Sequence, residues 1–315
     1  MKYPILCLLG SLVLVGCGEP DTPKVGADPC GDAGCQAIIR SFGFGADVTA
    51  EGQDVAIGFD LDGYVTEQGG ETGCGIEDLT SPDGVPGIDN QLGRLVSAVG
   101  NVLDQVSDLV DDSINEGGVL YVVEYSDWNG GEDNDVNVRI LDVDSTPLVG
   151  NDGKVLNGQT VALDPRPVMA TVHGSVDSQG VFESDTFDLL LPIEILDVIE
   201  IIPIRGAKTR FTINADGTLS DGVIGGALML YGIIHVLDYY AVGDEIRRTV
   251  PPLLNLLADT QPDEAGDCQG LSVALSFDAV PGFAIDATAG AINKDPNDNH
   301  STQHGGHNPD GTIIE

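Results

Sequence analysis

The sequence predicts a mainly β protein with helices, of the α+β class, folded as a β-sandwich or half-barrel. Two observations predict the strands: 42 glycines against 17 prolines are spread along the chain, and short apolar runs are separated by polar turns. The third observation is one long apolar pattern at helical spacing. We therefore expect sheets covered by a long helix at about 89–114 and a C-terminal helical segment at about 227–258.

The elements follow in order along the chain. A first strand, 54–59, precedes a stretch rich in Gly, Asp and Pro at 60–89, here named the acidic loop. Asp89 is placed to cap the long helix that follows. Further strands are predicted at 119–125, 136–143, 168–173, 182–195, 198–204, 207–213 and 271–279. The predicted organisation is a signal peptide at 1–16, a lipidated cysteine and tether at 17–40, one globular domain at 41–290 and a disordered polar tail at 291–315.

The charge of the chain excludes one class of partner. Its 51 Asp and Glu residues outnumber 13 Lys and Arg, which gives a formal net charge of −38. Binding to a phosphate backbone depends on clustered cations, so we exclude nucleic acid. Anionic lipid headgroups are equally poor partners for such a surface. A membrane contact is therefore expected only through an attached lipid.

The N-terminus carries the signal for such a lipid. Lys2 precedes an apolar stretch at 5–15, which is too short for a spanning helix and is typical of a secretory signal. The stretch ends in Leu14-Val15-Gly16-Cys17, which resembles the lipobox of bacterial lipoproteins. The resemblance implies cleavage before Cys17 and attachment of acyl chains such as palmitate. Gly18 follows, where the enteric sorting rule has Asp for inner-membrane retention, so the rule implies the outer membrane, with the body facing the periplasm or the surface.

Four cysteines remain after the signal and the lipidation site are set aside. An even number in a secreted protein predicts disulfides, for which three pairings are possible. Cys30–Cys35 is favoured because five residues suit a small loop, and Cys74–Cys268 then joins the early and the late chain. Zinc is the alternative, but the paired C-x-x-C spacing of a zinc site is missing.

The acidic loop suggests calcium. Calcium prefers six to eight oxygen ligands, and Asp residues at alternate positions before Gly supply them while the chain turns. The stretches Asp60-Leu61-Asp62-Gly63 and Pro82-Asp83-Gly84 resemble the loops of thrombospondin type 3 repeats and dockerins, although the second lacks the preceding Asp-x-Asp. The alternative is that Asp and Gly only form turns. The candidate ligands are Asp60, Asp62, Asp83, Asp89 and Asn90.

A second acidic loop, 127–135, contains the only tryptophan. An aromatic face beside amides and carboxylates is suited to binding sugars, so we name Trp128, Tyr125, Asp133 and Asp135 as a candidate ligand-binding rim. The alternative is that Trp128 folds back onto the sheet.

Known catalytic motifs are missing from the chain, including G-x-S-x-G, H-E-x-x-H and the Walker loop. The first hypothesis is therefore a lipid-anchored envelope lipoprotein that acts as a non-catalytic binding or structural module for a protein or glycan not identified by the sequence. A second is an envelope polysaccharide hydrolase with paired carboxylates such as Glu124 and Asp133. A third, a carrier of apolar ligands, comes from the very apolar stretch 189–204.

Overall fold

The structure is a computed structural model in which strands predominate. It describes residues 35–43, 46–48, 54–98, 110–165, 168–195, 198–239 and 244–286. The strands are β1 (Cys35–Gly43), β2 (Ala46–Val48), β3 (Asp54–Ala56), β4 (Leu79–Thr80), β5 (Pro86–Ile88), β6 (Tyr121–Ser126), β7 (Asp133–Asp142), β8 (Thr160–Leu163), β9 (Ala170–Val176), β10 (Val181–Ser184), β11 (Phe187–Ile195), β12 (Val198–Ile213), β13 (Leu219–Met229), β14 (Thr260–Pro262), β15 (Cys268–Pro281) and β16 (Phe283–Asp286). The helices are α1 (Gln91–Ala98), α2 (110–116), α3 (Leu230–Tyr239) and α4 (Asp244–Leu257).

Eight antiparallel strands close into a barrel in the order β1, β6, β7, β9, β10, β12, β13, β15. Closure comes from β1, which pairs with β6 on one side and with β15 on the other. β11 forms a hairpin with the first half of β12, and β14 pairs with the start of β15. Each of the eight barrel strands therefore has a hydrogen-bonded neighbour on both sides.

Side chains fill the barrel interior, because every second residue of a strand points inward. Phe182 and Phe211 stack with their ring centroids 4.9 Å apart, and Phe277 meets Phe211 edge to face at 6.1 Å. Apolar side chains of β6, β7 and β9 complete this core. An eight-stranded barrel is just wide enough for such packing.

Several layers cover the outside of the barrel. α2 and the parallel pair β8–β16 lie over a second apolar cluster on β1, β6 and β15. The helices α1, α3 and α4 lie over β15, where Leu254 packs with Leu271. Phe59, just before the acidic loop, packs against Val223 and Ala274. The acidic loop is thereby held against the outer face of β13 and β15.

The closed barrel replaces the predicted sandwich or half-barrel. Both folds bury one face of each strand, so the alternation of apolar residues is the same in either. What distinguishes them is the pairing of β1 with β15, which sets Ala37 opposite Pro281. A contact between residues so distant along the chain leaves no local pattern in the sequence.

The helix predictions are not borne out in the form that the sequence suggested. Of the helix predicted at about 89–114, residues Gln91–Ala98 (α1) and residues 110–116 (α2) are helical, and residues 99–109 lie outside the described residues. Asp89 does not cap α1; it forms a β-bridge with Phe59, and its carboxylate accepts a hydrogen bond from Leu61 N. At about 227–258 the first residues belong to β13, and α3 and α4 follow as separate helices.

The N-terminal predictions lie largely outside the part of the chain that the structure describes. β1 begins at Cys35, within the segment 17–40 that was predicted to be a tether. The signal peptide, Cys17, Cys30 and the tail at 291–315 fall outside the described residues. Among the described helices, none combines the length and the apolar character needed to span a bilayer.

Candidate metal centre

The first turn of the acidic loop is folded by its own carboxylates. Asp60 Oδ1 accepts a hydrogen bond from Gly63 N (2.6 Å), and Asp62 Oδ1 accepts one from Tyr64 N (2.9 Å). Gly63 has a φ of 82°, which glycine adopts without steric cost. These two side-chain-to-backbone bonds, the second of which is an Asx turn, reverse the chain and bring the carboxylates of Asp60 and Asp62 close together.

Asp89 reaches the same place from the other end of the acidic loop. Its Oδ2 accepts a hydrogen bond from Leu61 N at 2.6 Å. One carboxylate oxygen from each of Asp60, Asp62 and Asp89 lies within 4.8 Å of the other two. Asp60 is exposed and Asp62 is half-buried, whereas Asp89 is only 2% exposed. The three carboxylates, named here the aspartate cluster, are therefore closed on the Asp89 side and open on the Asp60 side.

Asp78 lies beside the aspartate cluster, although the sequence did not single it out as a ligand. Its Oδ2 accepts a hydrogen bond from Thr66 N at 2.6 Å. Its Oδ1 is buried and accepts no hydrogen bond from an N–H or hydroxyl donor of the described residues, and a hydrogen bond with the carboxyl group of Asp89 lowers the pKa of Asp78. That hydrogen bond needs one of the two acids to be protonated, so with both ionised the buried oxygen has no compensation for its lost hydration. The only signal in the sequence was its position four residues after Cys74 in the same loop.

The electrostatics of the site are unfavourable in the absence of a counter-charge. Burial, followed by the charges of Asp259, Asp78 and Asp62, raises the pKa of Asp89 from 3.8 to about 8. Burial also raises the pKa of Asp78, and the charges of Asp62 and Asp60 add to the effect. Such shifts mean that the ionised forms repel each other in a poorly solvated place. A proton or a bound cation removes that repulsion.

No lysine or arginine of the described residues supplies this counter-charge through an ion pair. Lys208 is close, but its Nζ donates to the backbone carbonyl of Asp60 at 3.0 Å and not to a carboxylate. Arg210 lies with its guanidinium carbon 5.8 Å from the ring centroid of Phe59. The carboxylate oxygens are thus left available to a ligand with positive charge.

The other two predicted ligands are placed differently. Asp83 is exposed in the turn between β4 and β5 and is not part of the aspartate cluster. Asn90 is fully buried, and its amide is used elsewhere: Nδ2 donates to Ile57 O (2.9 Å), and Oδ1 accepts from Ala274 N (3.2 Å). Asn90 therefore occupies the edge of β15 between the segments that pair with β14 and β1.

A further buried acid, Asp259, continues this edge. Its carboxylate accepts hydrogen bonds from Ser272 N (2.8 Å) and Ser272 Oγ (2.5 Å), and Ser272 Oγ accepts one from Gln91 N (2.9 Å). Burial raises the pKa of Asp259 to about 7. The network joins the end of α4, β15 and the start of α1. Nothing in the local sequence distinguishes Asp259 from the many acids at the surface.

The candidate rim at 127–135 is largely occupied by its own contacts. Tyr125 is 2% exposed inside the barrel core, and Trp128 meets its ring edge to face at 6.1 Å. Trp128 Nε1 donates to Gly131 O at 2.8 Å. Asp133 accepts hydrogen bonds from two backbone amides of the same loop, and Asp135 lies 3.1 Å from His173 Nε2. The side chain of Trp128 packs against the barrel core.

The cysteine pairing predicted for the early and late chain is confirmed. Cys74 and Cys268 form a disulfide, with their Cα atoms 6.0 Å apart. Cys35 is also disulfide-bonded, and Cys30, its predicted partner, lies outside the described residues.

The carboxylates suggested for hydrolysis do not form a free pair. Glu124 is 8% exposed and accepts hydrogen bonds from Gln36 Nε2 (2.8 Å) and from the guanidinium of Arg139. The charge of Glu124 is thus used in an ion pair between β6 and β7. Asp133 accepts hydrogen bonds from backbone amides of its own loop.

Comparison of the chain with known proteins found no significant match. No protein-family model matches the chain, no curated protein is significantly similar to it, and no solved structure matches it. The aspartate cluster is therefore the feature of the molecule that bears most directly on function.

Proposed function

We propose that this protein is a non-catalytic binding or structural module whose acidic loop is stabilised by calcium. The observation that carries the proposal is the convergence of one carboxylate oxygen each from Asp60, Asp62 and Asp89 within 4.8 Å, with the charge of Asp78 nearby. Three carboxylates in one place suit a divalent cation, which would remove the repulsion among them.

Calcium fits these residues better than magnesium does. Calcium accepts six to eight oxygens in flexible geometry, and magnesium requires a near-ideal octahedron at about 2.0–2.1 Å. The carboxylates come from segments far apart in the loop, which favours the more tolerant ion. Bound calcium would hold the two ends of the acidic loop together. The open side, at exposed Asp60, is where water or an oxygen-bearing partner would complete the coordination.

The membrane part of the proposal comes from the sequence. The lipobox ending in Cys17 supports a lipid anchor, and Gly18 supports the outer membrane. In this arrangement the barrel is a rigid body held near the membrane by the acyl chains, which together bind a bilayer stably. The partner of the module, a protein or a glycan, is not specified by the site.

The two alternatives have less support. A hydrolase needs an accessible acid pair, but Asp89 is almost fully buried and Glu124 is paired with Arg139. An apolar-ligand carrier needs internal space, and the barrel interior is filled with side chains such as Phe182 and Phe211.

Thermal unfolding with calcium, magnesium or EDTA tests the proposal. Calcium at 100 times its Kd adds about 2.7 kcal/mol, which raises the melting temperature of a domain of this size by about 5–10 °C. In Asp62→Asn the amide oxygen keeps the turn but loses the charge, so the calcium response should be reduced sharply.

Asp83→Asn is the matched control, because Asp83 is an exposed loop aspartate outside the aspartate cluster. It should keep the full response to calcium. An equal rise with magnesium, or a rise that survives in Asp62→Asn, would contradict the proposed site.

A further inference from the structure

Three large apolar side chains are exposed around the buried residue Gln159. Gln159 Oε1 accepts a hydrogen bond from Leu148 N (2.8 Å), and its Nε2 donates to Leu156 O (2.8 Å). Phe283 N donates to the backbone carbonyl of Gln159 at 2.9 Å. The side chains of Leu148, Leu156 and Phe283 are 65%, 44% and 62% exposed. Exposed apolar residues that occur singly are ordinary, but neighbouring ones mark an interaction surface, named here the Gln159 patch.

The Gln159 patch lies where the N-terminal segment joins the barrel. β1 begins at Cys35, and the next residue, Gln36, contacts the segment that carries Phe283. Gln36 O accepts a hydrogen bond from Gly282 N (3.1 Å), and Gln36 Oε1 accepts one from Ala284 N (2.6 Å). Phe283 is thus held between two residues that are bonded to the start of β1.

The proposed lipid is attached to the same N-terminal segment. The 18 positions from Cys17 to Cys35 span at most about 60–65 Å when fully extended. The acyl chains are therefore connected to the barrel at the end that carries the Gln159 patch. The helices α3 and α4 cover the other end, where Leu254 packs with Leu271. Leu271 lies ten residues before Pro281 along β15, which is about 33 Å.

The charges beside the patch select the kind of surface that it can meet. Asp152 and Lys154 are exposed in the loop between Leu148 and Leu156, and Asp286 is exposed at the end of β16. Two acids against one base disfavour anionic headgroups, and they leave a neutral, zwitterionic bilayer as the suitable partner. A second copy of the chain is disfavoured, because each copy carries a formal net charge of −38.

We propose that the Gln159 patch is a membrane-docking surface. Leu148, Leu156 and Phe283 enter the headgroup region of a neutral bilayer when the acyl chains on Cys17 hold the barrel beside it. The inference rests on the lipid anchor of the proposed function, because the acidic body does not bind a membrane without it. Apolar side chains at this depth are stabilised by the area that they bury. Docking orients the barrel, with α3 and α4 directed away from the membrane.

Photo-crosslinking of the full-length acylated protein in phosphatidylcholine vesicles tests this proposal. The lipid carries a photoactivatable carbene group on its acyl chain, and labelled positions are mapped by mass spectrometry. In the wild type we expect labelling of Leu156 and Phe283. Leu148→Gln/Phe283→Gln should reduce the labelling of Leu156, which is itself unchanged, by at least about ten-fold, because two largely exposed side chains lose their burial in the bilayer.

The matched control is Tyr231→Gln/Leu256→Gln, which replaces two side chains of α3 and α4 that are 61% and 67% exposed. These residues lie at the end of the barrel that is covered by helices, so the control should leave the labelling of Leu156 unchanged. The wild-type map alone covers the case in which a variant does not fold.

Three outcomes would overturn the inference. Labelling of Leu256 equal to that of Leu156, or no labelling of either in vesicle-bound protein, would exclude docking through the patch while the lipid anchor stands. An unlabelled wild type that is dimeric in detergent, and becomes monomeric in Leu148→Gln/Phe283→Gln, would show that a second copy covers the patch. If Cys17 carries no acyl chains and the protein does not stay with the vesicles, the membrane part of the proposed function fails and the inference fails with it.

Discussion

Replacing Asn90 by alanine decides whether this side chain is an anchor of the acidic loop or a ligand of the cation. Asn90 is fully buried, and its amide makes three contacts with main-chain atoms: Ile57 O at 2.9 Å, Ala274 N at 3.2 Å and Ala274 O at 3.4 Å. It thereby completes the edge of β15 at a point where none of the described strands is paired. A ligand role would require its Oδ1, which already accepts from Ala274 N.

The expected loss follows from those contacts. Alanine removes the hydrogen-bond partner of three main-chain groups, Ile57 O, Ala274 N and Ala274 O. Each buried group left unsatisfied costs about 1–3 kcal/mol. Water reaching part of the gap reduces the sum, so we expect the free energy of unfolding to fall by about 3–5 kcal/mol. For a domain of this size the melting temperature should fall by about 10 °C.

Urea unfolding of wild-type and Asn90→Ala protein, each in calcium and in EDTA, is the assay. An anchor gives the same loss in both conditions, whereas Asp62→Asn should lose stability relative to wild type only in calcium. Asn255→Ala is the control, because Asn255 is an exposed asparagine whose side-chain amide donates to Pro251 O at the surface. If the loss in Asn90→Ala disappears in EDTA, Asn90 is a calcium ligand and the reasoning is refuted.

His173 and two glycines give the remaining predictions. The imidazole of His173 lies between two carboxylates, and its hydrogen bond to Asp185, at 2.9 Å, is the main cause that raises its pKa above 6.5. The stabilisation that protonated His173 gives the folded protein is fully present below pH 6.5 and is lost as the pH rises through the pKa of His173 in the folded state. NMR titration of the ring protons should show a raised pKa that falls in Asp185→Asn, and a pKa of 6.5 in the wild type would contradict this. Gly174→Ala should destabilise the barrel by about 1–3 kcal/mol, because its Cβ would clash with the backbone oxygen of Glu183 and lie 2.7 Å from the ring of Phe182. Gly232→Ala in α3, where the Cβ meets open space, should stabilise by about 0.5–1 kcal/mol in the same urea assay, and equal effects of the two would contradict the packing argument.

The sequence was sufficient for features that depend on composition or on a short pattern. The predominance of strands and the Cys74–Cys268 bridge follow from glycine-rich turns, apolar alternation and the even cysteine count. The closed barrel could not be predicted, because it depends on the pairing of β1 with β15. Neighbouring side chains such as Ile38 and Ile39 point to opposite faces of the strand, and they would do the same in a sandwich. The predicted cap of the long helix was wrong for a related reason: Asp89 forms a β-bridge with Phe59, a contact that apolar spacing does not encode.

The site illustrates the same limit. Alternate aspartates before glycine drew attention to Asp60 and Asp62, and the structure brings Asp89 to them. Asn90 and Asp89 are neighbours in sequence, but only Asp89 joins the aspartate cluster, because the side-chain amide of Asn90 is hydrogen-bonded to Ala274 of β15. Asp78 was missed because it lies outside the Asp-x-Asp-Gly pattern, and its hydrogen bonds with Thr66, 12 positions earlier, are not part of any spacing rule.

The pairing of β1 with β15 has a consequence for biogenesis. During synthesis β1 emerges first, yet one of its two neighbours is completed only when Pro281 has been made. Until then the nascent sheet has two unpaired borders, which are templates for association with other chains. Such non-local topology is typical of slow folding, on the scale of milliseconds to seconds. A molecule with this order of assembly therefore benefits from chaperone protection until its last long strand arrives, and truncation before residue 270 should yield aggregates instead of a smaller barrel.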